Sequence, residues 1–328
     1  MSNDLVTSSG FASWPIAIAS AGPAAWHAIL QFFAAEIRNA NTRRAYLRAA
    51  HDFFVFAERR KGGTSLDTIT SLHVSAWIEA MTRDGLSTPT VKQRLAAMRM
   101  LFQALARERI IHITPAAVVR GPKHSVKRGK TPVLTAEETR QLLDAIDTDT
   151  LVGLRDRALI ATMVYSFARI GAVTTLRVED LFTQGRRLWL RLHEKGGKRH
   201  EIPCHHTLEK YLIAYLEAAE LGDTPKAFVF QTFGREGARK AAGRRLSGAP
   251  LPQATAWQML QRRAKYCGLD TAVCNHTFRA TGITTYLKNS GTLERAATIA
   301  NHSSTRTTQL YDRRPDDVTL DEIEKIQI

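Results

Sequence analysis

The sequence predicts a mainly α-helical protein with a small β-hairpin, an α+β chain in two domains. Three observations predict it. From residue 24 to about 120, apolar residues recur with the period of a helix and never alternate as in a strand. A basic connector bearing proline and glycine then interrupts the pattern at 120–131. After it the helical period resumes, broken by one alternating stretch that turns on Gly196-Gly197.

Residues 1–23 are Ser-, Ala- and Gly-rich without a clear period and read as a loose tail. Trp26, Ile29, Leu30, Phe33 and Ile37 then mark a first helix. Thr42 is read as the cap of a second, running to Arg60 and ended by Gly62-Gly63. Ser71 is read as the cap of a third, with Val74, Ile78 and Met81, and Ser87 opens a fourth, with Val91, Leu95, Met98, Phe102 and Leu105. The first domain, 24–119, is thus a four-helix cluster. Its basic faces hold Arg43, Arg44 and Arg48 in one region and Lys92, Arg94 and Arg99 in another. Basic faces on two helices of one small domain favour phosphate contact over a merely solvated surface.

The connector, RGPKHSVKRGK from Arg120, carries Lys123, Lys127 and Arg128 and no acidic residue. It serves either as an ordinary tether or as a strap along a polyanion. A tether gains nothing from so much charge, so the strap is preferred.

The second domain, 132–328, opens with a capping box, Thr135 and Glu138, before Leu142, Leu143 and Ile146. A strongly apolar helix spans about Leu151 to Ser166, and Arg169 follows it. A guanidinium beside so much apolar sequence needs an anion, either a structural partner such as Glu179 or Asp180 or a ligand. Leu188, Leu190 and Leu192 alternate with Trp189 and Arg191, Glu194 to Lys198 turn, and Arg199 to Pro203 return. Leu208 to Leu216 form another amphipathic helix. A Gly-rich basic loop from Phe233 to Pro250 includes Arg244 and Arg245, and Thr255 to Cys267 are helical. His276 and Arg279, three apart, fall on one helix face. That helix ends near Gly291, a short one runs to about Ala300, and His302 and Tyr311 follow. Beyond Asp316 an acidic tail carries Val318, Leu320, Ile323 and Ile326.

Charge and cysteine usage narrow the classes. The net charge is +15 and the pI about 10.1, which calls for a polyanionic partner. Nucleic acid is preferred over an acidic membrane, since no helix pairs a basic face with a broad apolar one. No apolar run reaches the length of a membrane span. Phe11 to Ala25 lacks the charged start and apolar core of a signal peptide. Three cysteines, Cys204, Cys267 and Cys274, fit a reducing cytosol and buried thiols. No second Cys or His pair completes a metal site with them.

Two histidines, an arginine and a tyrosine within HTFRATGITTYLKNSGTLERAATIANHSSTRTTQLY suit attack on a phosphodiester by a phenolic oxygen. Here the chain resembles the tyrosine recombinases, or phage integrase family. Their signature is His-x-x-Arg, then His or Trp, then a nucleophilic Tyr about nine residues on. NTRRAYLRAAHDFFVFAERR and STPTVKQRLAAMRMLFQALARERIIHITPA resemble the SAM-like core-binding domain of the same family. The first family arginine lies in a Tyr-(Ser/Thr)-Gly-x-Arg context, which Arg169 matches. A hairpin lysine is matched best by Lys195, with Lys198 in reserve. Three positions depart from the pattern: Phe167 where Gly is usual, Ala172 where an acid is usual, and Asn301 where Gly precedes the third-motif His. Asn tolerates a left-handed backbone, so that turn survives.

The resemblance implies a catalytic domain at 132–328 and a two-domain, Xer/Cre-like site-specific recombinase, for integration, excision or resolution. It needs neither metal nor cofactor. Tyr311 is the implied nucleophile and His276 its proton acceptor. Arg169 and Arg279 would grip the phosphate oxygens, as guanidinium is always charged and bidentate. Lys195 would protonate the leaving oxygen and His302 would hydrogen-bond the phosphate. Lys198, Arg199, Arg244 and Arg245 join the basic residues above as expected DNA contacts. The implied partners are double-stranded DNA and further copies of the chain, tetrameric in synapsis and joined through the tail, or a paralogous recombinase, with no membrane. The implied location is the bacterial cytoplasm, at the nucleoid. Two alternatives share the fold: a type IB topoisomerase-like enzyme, and a catalytically impaired DNA-binding protein.

Overall fold

A computed structural model describes residues 14–61, 63–126, 129–194, 197–234 and 245–313. Lys127, Arg128, Lys195, Arg244 and the acidic tail beyond Asp316 lie outside the described residues. The chain divides into two compact units, Met1–Ser125 and Val126–Ile328.

In the first unit, α1 (Ile16–Ala19) precedes α2 (Gly22–Gln31), which runs on through a π turn, Phe32–Glu36. Three longer helices follow: α3 (Ala40–Glu58), α4 (Ser71–Arg83) and α5 (Thr88–Arg107). Residues 14–23 were expected within a loose tail, yet Ala17 and Ile18 of α1 are fully buried. Two caps differ from expectation. Asn39, not Thr42, caps α3, its side chain accepting from the amides of Asn41 and Thr42. Thr70 and His73 form a capping box ahead of α4, so Ser71 is its first residue. Edge-to-face rings fill the centre, Phe53 meeting Phe54 and Trp77 at 5.2 Å and Phe102 at 5.8 Å. Burying each such side chain contributes on the order of 2–3 kcal/mol.

The second unit is built on α7 (Leu151–Ser166), which packs against α9 (His206–Ala218) and α11 (Thr277–Lys288). Leu159, Ile160 and Met163 have no exposed surface. Around them lie α6 (Ala136–Asp144), α8 (Ile170–Thr174), α10 (Gln253–Tyr266), α12 (Leu293–Ile299) and α13 (Thr305–Gln309). The capping box on α6 forms as read: Thr135 accepts from the Glu138 amide at 3.0 Å and Glu138 accepts from the Thr135 amide at 2.7 Å.

The hairpin is the centre and edge of a three-stranded antiparallel sheet, β1 (Leu181–Gln184), β2 (Arg187–His193) and β3 (Arg199–Pro203). Leu190 pairs with Ile202 on one side and with Leu181 on the other. A second small sheet joins β4 (Gln231–Phe233) to β5 (Leu246–Pro250), and β5 and the last residue of β4 fall in the stretch read as a loop. Only four residues long and half exposed, β1 carries too little alternation to be read alone.

The apolar period of α7 hides a buried charge cluster. Asp156 accepts from Arg155 at 2.7 Å and from Arg263 of α10 at 2.8 Å, and Arg155 donates to the Gln231 carbonyl at 2.9 Å. The Asp156 carboxylate thus ties α7 to α10, and the Arg155 guanidinium ties it to β4. Among the described residues, no helix is long and apolar enough to cross a membrane.

Candidate active site

Arg279 is the centre of the site. It lies in the first turn of α11, one turn after His276, which is the residue preceding the helix. Only 1% of Arg279 is exposed. Its guanidinium donates to the carbonyl of Phe167, to that of Ala300 at 2.5 Å, and to Nε2 of His302 at 2.6 Å. Its Nε has no hydrogen-bond partner among the described residues. Burial first, and then the charge of Arg169, pull its pKa down to about 10, so it stays protonated at neutral pH.

Because Arg279 can only donate, Nε2 of His302 must accept, and the ring proton sits on Nδ1. Nδ1 lies 2.8 Å from Oγ1 of Thr308, a fully buried residue of α13 that thereby fixes the tautomer. Burial, then Arg279 and Arg169, hold His302 neutral, its pKa lowered to about 4. On its other side the His302 ring stacks against Tyr311, with centroids 5.7 Å apart and planes 12° from parallel. Tyr311 also packs against the cluster of Ile283, Leu287, Ala296 and Ala300. Its backbone carbonyl accepts from Thr284 at 2.6 Å and its amide donates to the Thr308 carbonyl at 2.9 Å. His276 stays open to solvent, so its loss of hydration is only partial. That loss, followed by the charges of Arg279 and Arg169, still lowers its pKa.

The three departures from the family pattern each have a structural counterpart. Phe167 adopts the left-handed conformation, φ 53° and ψ 19°, that glycine would take freely. Its carbonyl then turns toward Arg279, while its ring meets Tyr286 edge-on at 6.1 Å. Asn301 is also left-handed, at φ 48°, as the sequence led us to expect. Ala172 is buried on α8 and offers no carboxylate. Arg169, the residue preceding α8, pairs instead with Glu194 at the end of β2, at 2.5 Å. The partners considered from sequence are engaged elsewhere, Glu179 with Lys226 at 2.7 Å and Asp180 with His193 at 2.8 Å.

Of the expected DNA contacts, Arg44, Arg48, Lys92, Lys123, Lys198, Arg199 and Arg245 are exposed. Three others are held by the protein. Arg43 donates to the Ile37 carbonyl at 2.9 Å, Arg94 pairs with Asp52 at 3.0 Å, and Arg99 donates to the carbonyl of Val119 at 2.5 Å. Their long side chains fold back over helix ends and the outgoing chain, which helical periodicity does not reveal. Cys204 is buried, its thiol pushed up to about 12 by burial, while Cys267 and Cys274 are half-buried. Thr308 and Glu194 were missed by sequence reasoning. Glu194 stands beside the turn lysine, but nothing in a single sequence marks Thr308.

A sequence profile described as the phage integrase family matches residues 132–317, and one described as the phage integrase N-terminal SAM-like domain matches 31–109. The tyrosine recombinase XerD of Listeria innocua is 26% identical over 281 residues, covering 83% of this chain and 88% of that one. XerD of Corynebacterium glutamicum is 28% identical over 285 residues, covering 83% and 87%. Among solved structures, XerH bound to palindromic difH in a post-cleavage complex matches with a TM-score of 0.68. Its identity is 21%, over 88% of this chain and 79% of that one. A lambda integrase tetramer bound to a Holliday junction matches at 0.64 with 19% identity, over 89% and 80%. At such identities these structures share the fold.

Proposed function

Since this chain belongs to the phage integrase family, we propose that it is a site-specific DNA recombinase working through a 3′-phosphotyrosyl intermediate. The observation that carries this reading is the His302 imidazole, held between the Arg279 guanidinium at 2.6 Å and the Tyr311 ring at 5.7 Å.

The phenolic oxygen of Tyr311 attacks the scissile phosphorus, and the bond to the 5′ oxygen breaks. The phosphoester energy is kept in the new link, so a second 5′ hydroxyl reverses the step on another strand. His276 takes the phenolic proton, and its lowered pKa suits this, because the ring is neutral near pH 7. Arg169 and Arg279 bind the non-bridging oxygens, where charge grows as the fifth bond forms. His302, whose Nε2 accepts from Arg279, orients that guanidinium, and a hairpin lysine, Lys195 with Lys198 in reserve, protonates the departing oxygen.

The solved relatives include a dimer and a tetramer on DNA. Four copies of this chain, or this chain with a paralogous recombinase, synapse two duplexes, using the acidic tail as a link between subunits. The substrate is bacterial DNA, which puts the reaction in the cytoplasm, at the nucleoid.

The test is covalent capture. Full-length protein is incubated with duplexes of randomised sequence, each nicked so that the cleaved fragment diffuses away. Wild type gives adducts that survive detergent, and Tyr311→Phe gives none. Captured sites placed on two separate duplexes then yield joined products. Wild-type protein that binds these duplexes but forms no adduct overturns the proposal.

A further inference from the structure

The first arginine of the site is held by an acid from an unexpected element. Arg169 has its side chain 37% exposed, whereas that of Glu194 is 4% exposed. The pair is therefore lopsided, with the carboxylate inside and the guanidinium at its mouth. Burying a carboxylate costs several kcal/mol unless a partner and hydrogen bonds offset it. A packing residue would do as well there without the charge.

Glu194 is also fixed in space. Its amide donates to the Lys198 carbonyl at 2.8 Å, which closes the β2–β3 turn. On the other strand, His200 lies 3.0 Å from the carbonyl of Ile299, at the end of α12 and shortly before His302. The hairpin stem is thus attached at two points, one at Arg169 and one at the segment leading to His302. Meanwhile position 172, whose amide donates to the Arg169 carbonyl at 2.9 Å, carries only a methyl group. No acid on α8 itself can hold Arg169.

We propose that Glu194 is the positioning residue for Arg169, its carboxylate fixing the guanidinium in reach of the scissile phosphate from the stem of the β2–β3 hairpin. This rests on the recombinase reading above. The Arg169 and Arg279 guanidiniums outnumber the one carboxylate, so the site stays cationic toward a phosphodiester. Glu194 does not touch substrate.

The experiment uses the full-length chain with Glu194→Ala, Glu194→Gln and Glu194→Asp. Covalent adduct formation is timed on a nicked duplex captured by the wild type, with binding and melting temperature measured alongside. A residue that only fills space is replaced by Gln and not by Asp. A residue that positions through charge is replaced by Asp better than by Gln. The expected result is a fall in the adduct-forming rate of roughly tenfold to a hundredfold for Ala and Gln, as misplaced transition-state donors give. Binding stays within a few-fold, and Asp regains part of the rate. Folded Gln and Ala variants that form adducts at the wild-type rate overturn the assignment. Should the wild type form no adduct at all, the recombinase reading fails. Glu194 is then judged by melting temperatures of Arg169→Ala, Glu194→Gln and the double variant. Non-additivity upholds the hold on Arg169, and additive shifts overturn it.

Discussion

The amide of Gly129 donates to the carbonyl of Leu310 at 2.8 Å, joining the end of the basic connector to the residue before Tyr311. Arg313 reinforces the junction, donating to the Gly129 carbonyl at 2.5 Å and to the Leu310 carbonyl at 2.7 Å. The chain on both sides of Tyr311 is therefore held by a segment far upstream. A methyl group at 129 would lie 2.4 Å from the Leu310 oxygen, closer than such contacts occur. Gly129→Ala must push the two segments apart. The expected outcome is slower adduct formation on nicked duplexes, with DNA affinity within a few-fold of wild type. Time courses on denaturing gels, beside mobility-shift titrations, check it.

Phe167 sets two terms against each other. A non-glycine residue in the left-handed region carries strain of roughly 1–2 kcal/mol. The residue, however, is only 5% exposed, and removing a buried phenylalanine costs about 3–5 kcal/mol. The ring also lies where a side chain at Gly282 would be, 2.7 Å from a Cβ there. Phe167→Gly, although it restores the residue common in the family, is expected to destabilise by roughly 1–4 kcal/mol net. Urea unfolding measures it, and a gain in stability would show that strain outweighs packing.

Asn301 separates the Ala300 carbonyl, which accepts from Arg279, from His302. Its φ of 48° is tolerated by Asn and free for Gly. Asn301→Gly is expected to keep the melting temperature within a few degrees and to retain activity. Asn301→Val, with a branched side chain, is expected to cost on the order of 1–3 kcal/mol and to displace both neighbours. Thermal melts and adduct assays on the two variants decide it.

How much of this was legible beforehand depended on how local the cause was. The helices were, because apolar spacing in α5 or α9 records which face is buried. The left-handed turn at Asn301 was, because side-chain type reports backbone conformation. Lost from view were features with one end remote. The cap of α3 is a choice between Asn39 and Thr42, both good caps three residues apart. Strand β1 needs β2 beside it to exist. Asp156 sits in an apolar run, and its purpose appears only when Arg263, over a hundred positions on, folds against it. Arg43, Arg94 and Arg99 looked like free cations because their partners, backbone carbonyls and Asp52, leave no periodic mark. The acid for Arg169 was sought within a dozen residues, at Glu179 and Asp180, whereas the fold supplies it from the end of β2.

The two histidines give a pH dependence with a definite sign. Both pKa values are lowered from 6.5, that of His302 to about 4. The folded protein thus holds both rings neutral while the unfolded chain takes up protons from pH 6.5 downward. Stability from these groups is complete above about 6.5 and declines as pH falls toward 4. In NMR titrations of the free protein both rings are expected to titrate below the usual histidine range. Binding a phosphodiester adds negative charge beside Arg169 and Arg279 and offsets part of their effect, so both values are expected to rise on duplex DNA. Values that stay put on binding would place the phosphate away from these rings.

Thr308 supplies the most specific test of the His302 geometry. Arg279 donates to Nε2, so the proton on Nδ1 needs an acceptor inside the protein, and Oγ1 of Thr308 at 2.8 Å is that acceptor. Thr308→Val keeps the shape and removes the acceptor, leaving a buried N–H unsatisfied at a cost of about 1–3 kcal/mol. The ring can escape the cost by carrying its proton on Nε2, but then it faces the Arg279 donor with a donor of its own. Either way His302 moves off Arg279, and Tyr311, stacked on the same ring, loses one wall of its seat. The expected outcome is a loss of adduct formation of about tenfold or more, the scale for a displaced catalytic donor, with Thr308→Ser close to wild type. Equal activity in the Val and Ser variants would mean that the tautomer is fixed from the Arg279 side alone.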